Sequence, residues 1–197
     1  MEILYSDNNI AVCVKPVGAD SEHDLPSLLS QQLGGDFFAV HRLDMNVGGV
    51  MVYARNKSAA AELSKVMQTD GFVKEYFAQV HGVPDANGVF EDLLFKDKSK
   101  NKVFVVKRER KGVKKASLEY VRLTDKDVSP ALVRVKLHSG RSHQIRVQFA
   151  SRGFALLGDG KYGAKDSLHA PRLYSCKISF TLYSKEYQFE SLPDWAK

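Results

Sequence analysis

A carboxylate beside an arginine in a tight connection is the first chemistry this chain offers. His41-Arg42-Leu43-Asp44 follows a β-like run from Phe37 to Val40 and precedes the glycine pair Gly48-Gly49, which opens a second run from Val50 to Tyr53. Connections between strands aim side chains at ligands, and burial next to a cation holds a carboxylate ionised. Asp44 could then serve as a nucleophile or a base. The same spacing also fits a turn residue beside a solvated cation, so the tetrapeptide does not decide alone.

The second chemical cluster is Arg141-Ser142-His143-Gln144-Ile145-Arg146, at the start of a helix predicted over 141–152. On that helix Ile145 and Phe149 share an inward stripe, while His143 and Arg146 share another face at spacing three. An arginine on a partly buried face could pair with Asp44, or could be a structural ion pair or a phosphate ligand. Other chemistries find less support. His138 and His143 straddle a strand-to-helix junction, and no HExxH or paired His/Cys spacing occurs, so no metal is expected. Cys13 and Cys176 lie far apart in apolar surroundings and read as buried thiols, and no serine sits in a G-x-S-x-G elbow. Gly158-Asp159-Gly160-Lys161-Tyr162-Gly163 matches G-x-G-x-x-G literally. Its surroundings do not fit a dinucleotide site, because no long helix follows before Pro171 and residues 178–184 offer no acid for a ribose. Carboxylate chemistry without metal or organic cofactor remains as the enzymatic option.

The elements that must hold these groups are mostly strands. Ile10–Lys15 reads as a strand ended by Pro16 and Gly18; Pro26 starts a short helix through Leu33; Asn56 caps a helix through Met67. Phe72 to Val83 alternates as a long strand, with Phe72, Lys74, Tyr76, Ala78 and Val80 on one face. Strands are predicted over 89–95, 103–107, 116–123 and 131–138, and a closing hairpin over 173–182 and 187–190. Strands follow one another rather than alternating with helices. The expected fold is therefore α+β, a mixed and mainly antiparallel sheet flanked by short helices. At 197 residues with 44% hydrophobic content, one domain spanning 1–197 is expected.

Charge is unevenly distributed. The formal net charge is +6, yet residues 96–115 hold ten Lys and Arg against Asp97 and Glu109, a local +8 that leaves −2 elsewhere. The excess gathers in a hairpin-like region around the apolar run Val103 to Val106, and a patch that outweighs the whole chain favours a phosphate backbone as partner. With an acidic start, no secretory core and no stretch of membrane-spanning length, the protein is expected to be cytoplasmic and away from membranes. A monomer is expected.

In order along the chain stand KPVG (15–18), HRLD (41–44), K-x-Y-x-A-x-V-x-G (74–82), KKASLEY (114–120), SGRSHQIRVQ (139–148) and GDGKYG (158–163). Together these resemble the RluA-type pseudouridine synthases. The resemblance implies a pseudouridine synthase fold with a central RNA-binding cleft, and isomerisation of uridine to pseudouridine in a structured ribosomal or transfer RNA, with no cofactor. It implies that Asp44 is catalytic, that Tyr76 packs against the target base, and that Arg146 pairs with the aspartate, with Arg141 as rival. Arg42 would hold the flipped nucleotide out of the stack, with His41 beside it, and Ile145 would wall the pocket. Lys107, Arg108, Arg110, Lys111, Lys114, Lys115 and Arg141 would grip phosphates.

Four positions depart from the family pattern: Val14 replaces a frequent Asn, Val47-Gly48 a frequent Thr-Ser, and Gln148 a frequent His. The chain begins almost at the catalytic core, so site selection is expected to rest on the core and its basic region. The competing readings are a non-enzymatic RNA-binding module, which Asp44 and Tyr76 argue against, and a dinucleotide-dependent oxidoreductase drawn from the glycine loop.

Overall fold

Alternating and continuous apolar runs become strands, as their periods require. The computed structural model describes residues 1–196, which fall into two compact units, 1–74 with 174–196, and 75–173.

In the first unit, β1 (Ile3–Ser6), β2 (Ile10–Lys15) and β4 (Gly48–Ala54) pair antiparallel in succession, with the short β3 (Phe38–Ala39) also on β4. β10 (Leu173–Leu182) runs parallel to β4 at Tyr174 and Ser175 and antiparallel to β11 (Lys185–Glu190). Every residue of β4 is buried, which is why its sequence is apolar throughout. Its glycine pair lies inside the strand rather than ahead of it. Gly49 has φ +123°, and a Cβ there would stand 2.3 Å from the Ser175 carbonyl oxygen, so only glycine lets β10 approach. Helix α1 (Asp24–Leu33) buries Leu25 and Leu29. Helix α2 (Lys57–Val66) is capped by Asn56, whose side chain accepts the Ala59 N–H at 2.8 Å. Its Ala59 and Leu63 join Val50, Val52, Phe72, Ile178 and Phe180 in one core. β1 was absent from the sequence expectation: four residues with one polar end carry too little periodicity to register.

β5 (Phe72–Val80) begins in this unit and continues into the second, ending before Gly82, whose φ of +75° turns the chain three residues earlier than the alternation predicts. The second unit orders its strands β5-β9-β8-β6-β7, with β6 (Asn87–Asp97), β7 (Lys102–Val106), β8 (Val113–Arg122) and β9 (Ala131–Leu137). β6 pairs antiparallel with both β7 and β8, and β8 antiparallel with β9. The mixed, mainly antiparallel sheet expected from sequence is what forms. Phe90, Tyr120 and Phe149 meet with ring centroids 4.9–5.3 Å apart. Helix α3 spans only Gln144–Ala150 and is buried nearly all round. The predicted start at Arg141 fails because His143 is left-handed, φ 51° and ψ 21°, a conformation that cannot propagate a right-handed helix. His143 and Arg146 therefore do not share a helical face. Among the described residues no helix is long and apolar enough to cross a membrane.

Candidate active site

Asp44 lies in the β3–β4 connection, and its backbone is fixed from both sides. The Val47 N–H donates to the Asp44 carbonyl at 2.9 Å, closing the turn that follows. Ahead of it, the buried Ser21 hydroxyl accepts the Leu43 N–H at 3.1 Å and donates to the Leu43 carbonyl at 2.9 Å. Ser21 is itself held by the Tyr53 hydroxyl, which donates to its carbonyl at 2.8 Å.

Lys15 does more. Only 1% exposed, its Nζ donates to the carbonyls of Pro16 (3.0 Å), Met45 (3.0 Å) and Val47 (2.8 Å). One ammonium thus spends its three hydrogens on carbonyls around the turn after Asp44. Burial pushes its pKa down to about 8, against the opposing pull of Asp20, Asp44 and Asp24. The Gly18 N–H adds a bond to the Met45 carbonyl at 2.8 Å, joining the KPVG turn to the HRLD turn. Sequence reading passed over Lys15, although a lone lysine closing the apolar run Ile10 to Val14 is a signal that its amine has a buried task.

His41 anchors the start of the same loop. Its Nε2 accepts the Val52 N–H at 3.1 Å and its ring packs on Phe72, centroids 5.8 Å apart. Desolvation, aided by the nearby Lys74 charge, pushes its pKa down to about 3, so the ring is neutral and fit to accept. Arg42 points outward, meeting Glu22 at 3.3 Å with both side chains half exposed. Such a surface pair holds little energy, and the guanidinium stays available.

The second unit carries the other sequence-predicted residues. Tyr76 is 6% exposed and Ile145 3%. Arg146, 7% exposed, forms a two-pronged pair with Asp159: Nε to Oδ2 at 2.7 Å and Nη2 to Oδ1 at 2.8 Å. Asp159 is 1% exposed and was not read from sequence as a site residue. Its signal was the acid inside the G-x-G-x-x-G match, whose loop folds as a short 3₁₀ turn over Gly160–Tyr162. Tyr162 gathers the surroundings of this pair. Its ring lies under the Arg146 guanidinium at 5.2 Å, its hydroxyl meets His143 Nδ1 at 2.8 Å, and it accepts the Val103 N–H of β7 at 2.9 Å.

The loop ahead of α3 is shaped by Gln144. Its Oε1 accepts the Ser139 hydroxyl (2.8 Å) and the Arg141 N–H (3.0 Å), while its Nε2 donates to the Ser117 carbonyl (3.0 Å). Arg141 is exposed, and its Nε donates to the Lys115 carbonyl at 2.9 Å. Gln148, where the family pattern often has His, donates to Asp92 at 2.7 Å and to the Phe90 carbonyl at 3.2 Å, leaving its buried Oε1 without a hydrogen-bond partner among the described residues.

The basic region comprises the β6–β7 hairpin with its tip at 98–101 and the connection from β7 to β8. Lys107, Arg108, Arg110, Lys111, Lys114 and Lys115 are all exposed. Arg110 lies over Phe95 at 4.6 Å and Lys115 meets Glu109 at 3.3 Å. The rest of the row faces water, as a phosphate-binding surface requires. Among the described residues no three His, Cys, Asp or Glu side chains are grouped to hold a metal ion. Cys13 and Cys176 are buried and form no disulfide.

A family model described as RNA pseudouridylate synthase matches residues 9–151. An uncharacterized RNA pseudouridine synthase of Aquifex aeolicus is 34% identical over 185 residues, covering 85% of this chain and 57% of that protein. Ribosomal large subunit pseudouridine synthase C of Buchnera aphidicola is 30% identical, covering 83% and 54%. The dual-specificity RNA pseudouridine synthase RluA of Vibrio vulnificus is 29% identical, covering 97% and 81%. The chain thus spans little more than half the length of the first two relatives. Two solved human structures share the fold: RNA pseudouridylate synthase domain containing 4 (TM-score 0.81, 24% identity, 98% of this chain and 89% of that one) and domain containing 1 (0.83, 20%, 98% and 83%). With the family model spanning most of its length, and HRLD and the Arg146 helix both inside the match, the chain belongs to the RNA pseudouridylate synthase family, in its RluA-type branch.

Proposed function

We propose that this protein isomerises a specific uridine to pseudouridine in structured ribosomal or transfer RNA, with the Asp44 carboxylate as the catalytic group. The observation that carries the reading is the loop of Asp44. Lys15 and Ser21 hold its backbone rigid through buried bonds, an investment that a solvated turn does not need.

In the reaction the N1–C1′ bond breaks, the uracil turns, and a C5–C1′ bond forms. The C5 proton leaves to solvent and N1 gains one. The target must first leave any stack, at a cost of roughly a few kcal/mol. Arg42, outward and weakly engaged, suits a role in holding the nucleotide out. Tyr76 offers an aromatic surface for the detached base, and Ile145 an apolar wall. Asp44 either attacks C1′ or removes a proton from the sugar. Arg146, oriented by Asp159 and Tyr162, would supply the cation that favours its ionised form. The basic residues from Lys107 to Lys115, with Arg141, would grip the phosphates around the target, positioning it without reading sequence. In this reading both units serve one catalytic domain, a cytoplasmic monomer that needs neither metal nor cofactor.

The test uses transcripts of ribosomal and transfer RNA labelled with tritium at uridine C5. Wild type should release tritium; Asp44→Asn should abolish release and retain RNA binding. Full release by that variant refutes the role of Asp44, and binding without release by wild type favours the non-enzymatic module.

A further inference from the structure

Among the described residues, Lys74 is a cation without a counter-ion. It closes the first unit, two residues before Tyr76, the spacing that repeats one face of a strand. Its Nζ lies 5.7 Å from the centroid of Phe72, the ring that also packs on His41 at 5.8 Å. The lysine therefore sits beside the first residue of the HRLD loop, and its charge is felt there.

Burial pushes the Lys74 pKa down, and no carboxylate opposes that shift. Among the described residues its ammonium has no hydrogen-bond acceptor and no ion-pair partner. Several other enclosed cations have carbonyl or carboxylate partners. Lys15 has three carbonyls, Arg146 has Asp159, Arg152 has Asp92 and Arg134 has Glu75. A charge drawn out of water without compensation is costly, and the ring face of Phe72 returns only part of that cost. Such a group is expected where a ligand completes it.

We propose that Lys74 is a phosphate-binding residue, its ammonium held over Phe72 beside His41 to take a phosphate oxygen of the RNA next to the reacting nucleotide. This rests on the reading of the protein as an RNA-modifying enzyme. A full counter-charge matches the ammonium better than a uracil carbonyl, which carries only a partial one. RNA supplies one such charge per nucleotide. The contact differs in kind from those of the exposed basic row, because Lys74 is partly buried and belongs to the strand that carries the candidate tyrosine.

The measurement compares wild type, Lys74→Met and Lys74→Arg on the same tritiated transcripts. Methionine keeps the stem over Phe72 and removes the charge. Removing one phosphate contact lowers the slope of log affinity against log salt by about 0.7–0.9. Between 50 and 200 mM KCl the wild type should then lose about threefold more affinity than Lys74→Met. At low salt KM should rise with kcat within about twofold of wild type, and Lys74→Arg should restore the slope. Thermal unfolding should show Lys74→Met at least as stable as wild type, since an uncompensated charge has gone. An unchanged slope overturns the proposal, as does weakened binding at unchanged slope, which marks a base contact. Should the methionine variant fold poorly, the transcript must shield Lys74 from acetylation in wild type, and full reactivity in the complex overturns the proposal. Wild type that shows the slope change without releasing tritium removes the isomerase reading and leaves the phosphate contact standing. Absence of RNA binding by wild type overturns both.

Discussion

Acidification should loosen the HRLD loop through His41. The imidazole has an ordinary pKa of 6.5 but is held at about 3 in the fold, where its Nε2 accepts the Val52 N–H. The folded state therefore resists a proton that the unfolded chain takes up. Stability from this site is complete above pH 6.5 and is lost as pH falls from 6.5 toward 3. Each pH unit in that window costs about 1.4 kcal/mol, so two units, to pH 4.5, give an upper bound of about 2.7 kcal/mol. Part of the residue remains at the surface, and solvent returns some of this, so we expect about 1.5–2.5 kcal/mol. The assay is urea unfolding of wild type and His41→Gln at pH 7.5, 6.5, 5.5 and 4.5. Glutamine can still accept the Val52 N–H and does not titrate. The difference between the two proteins isolates His41, because Asp166, held at about 2, and the other carboxylates are common to both. The wild type should lose stability relative to the variant as pH falls, most steeply below 6. Curves that stay parallel within about 0.5 kcal/mol across the range would refute the view that a neutral imidazole latches this loop.

Lys15→Met should remove the donor from the Pro16 and Val47 carbonyls, while Met45 keeps the Gly18 N–H; at about 1–3 kcal/mol for each orphaned group, less the relief of a buried charge, we expect a net loss of about 1–4 kcal/mol in urea unfolding. Because the amine is held at about 8 rather than 10.5, wild type should also gain stability on the variant as pH rises from 8 to 10.5, and a flat difference would contradict the burial of a charged lysine. Asp159→Asn breaks the buried pair with Arg146 and should cost about 3–5 kcal/mol; a loss under about 1 kcal/mol would mean that the carboxylate is not what holds the guanidinium. Replacing Lys107, Arg108, Arg110 and Lys111 together by glutamine should leave the unfolding midpoint nearly unchanged and reduce the salt slope of transcript binding by up to about 3, and an unaltered slope would place the phosphate grip elsewhere.

Legibility in the sequence followed the range of the forces involved. Strand periodicity and the Asn56 cap act within a few residues, so β2, β4, β6 to β11 and α2 were readable to within a few positions. The start of α3 was not, because the left-handed turn at His143 is stabilised by Gln144 reaching to Ser139, Arg141 and Ser117, and such a network leaves no periodic trace. Asp44, Arg146 and the basic row stood out by residue type. What orients them did not: Lys15 is thirty residues from Met45, and Asp159 thirteen from Arg146.

The glycine loop shows what that blindness conceals. As a dinucleotide motif it fails on context, and its glycines alone give it no other purpose. In the fold its acid orients Arg146 and its tyrosine reaches β7, the edge strand of its unit, through the Val103 N–H, which has no further strand to bond. One phenol therefore ties the basic edge strand to the helix that carries Arg146. Tyr162→Phe keeps the ring under the guanidinium but cuts both hydroxyl bonds, so it separates the two tasks. Loss of the tie should free the Lys102–Val106 strand to exchange its amide hydrogens faster while the Arg146–Asp159 pair persists. The position of the basic edge strand is thus written in a loop whose local sequence, taken alone, suggests a dinucleotide site instead.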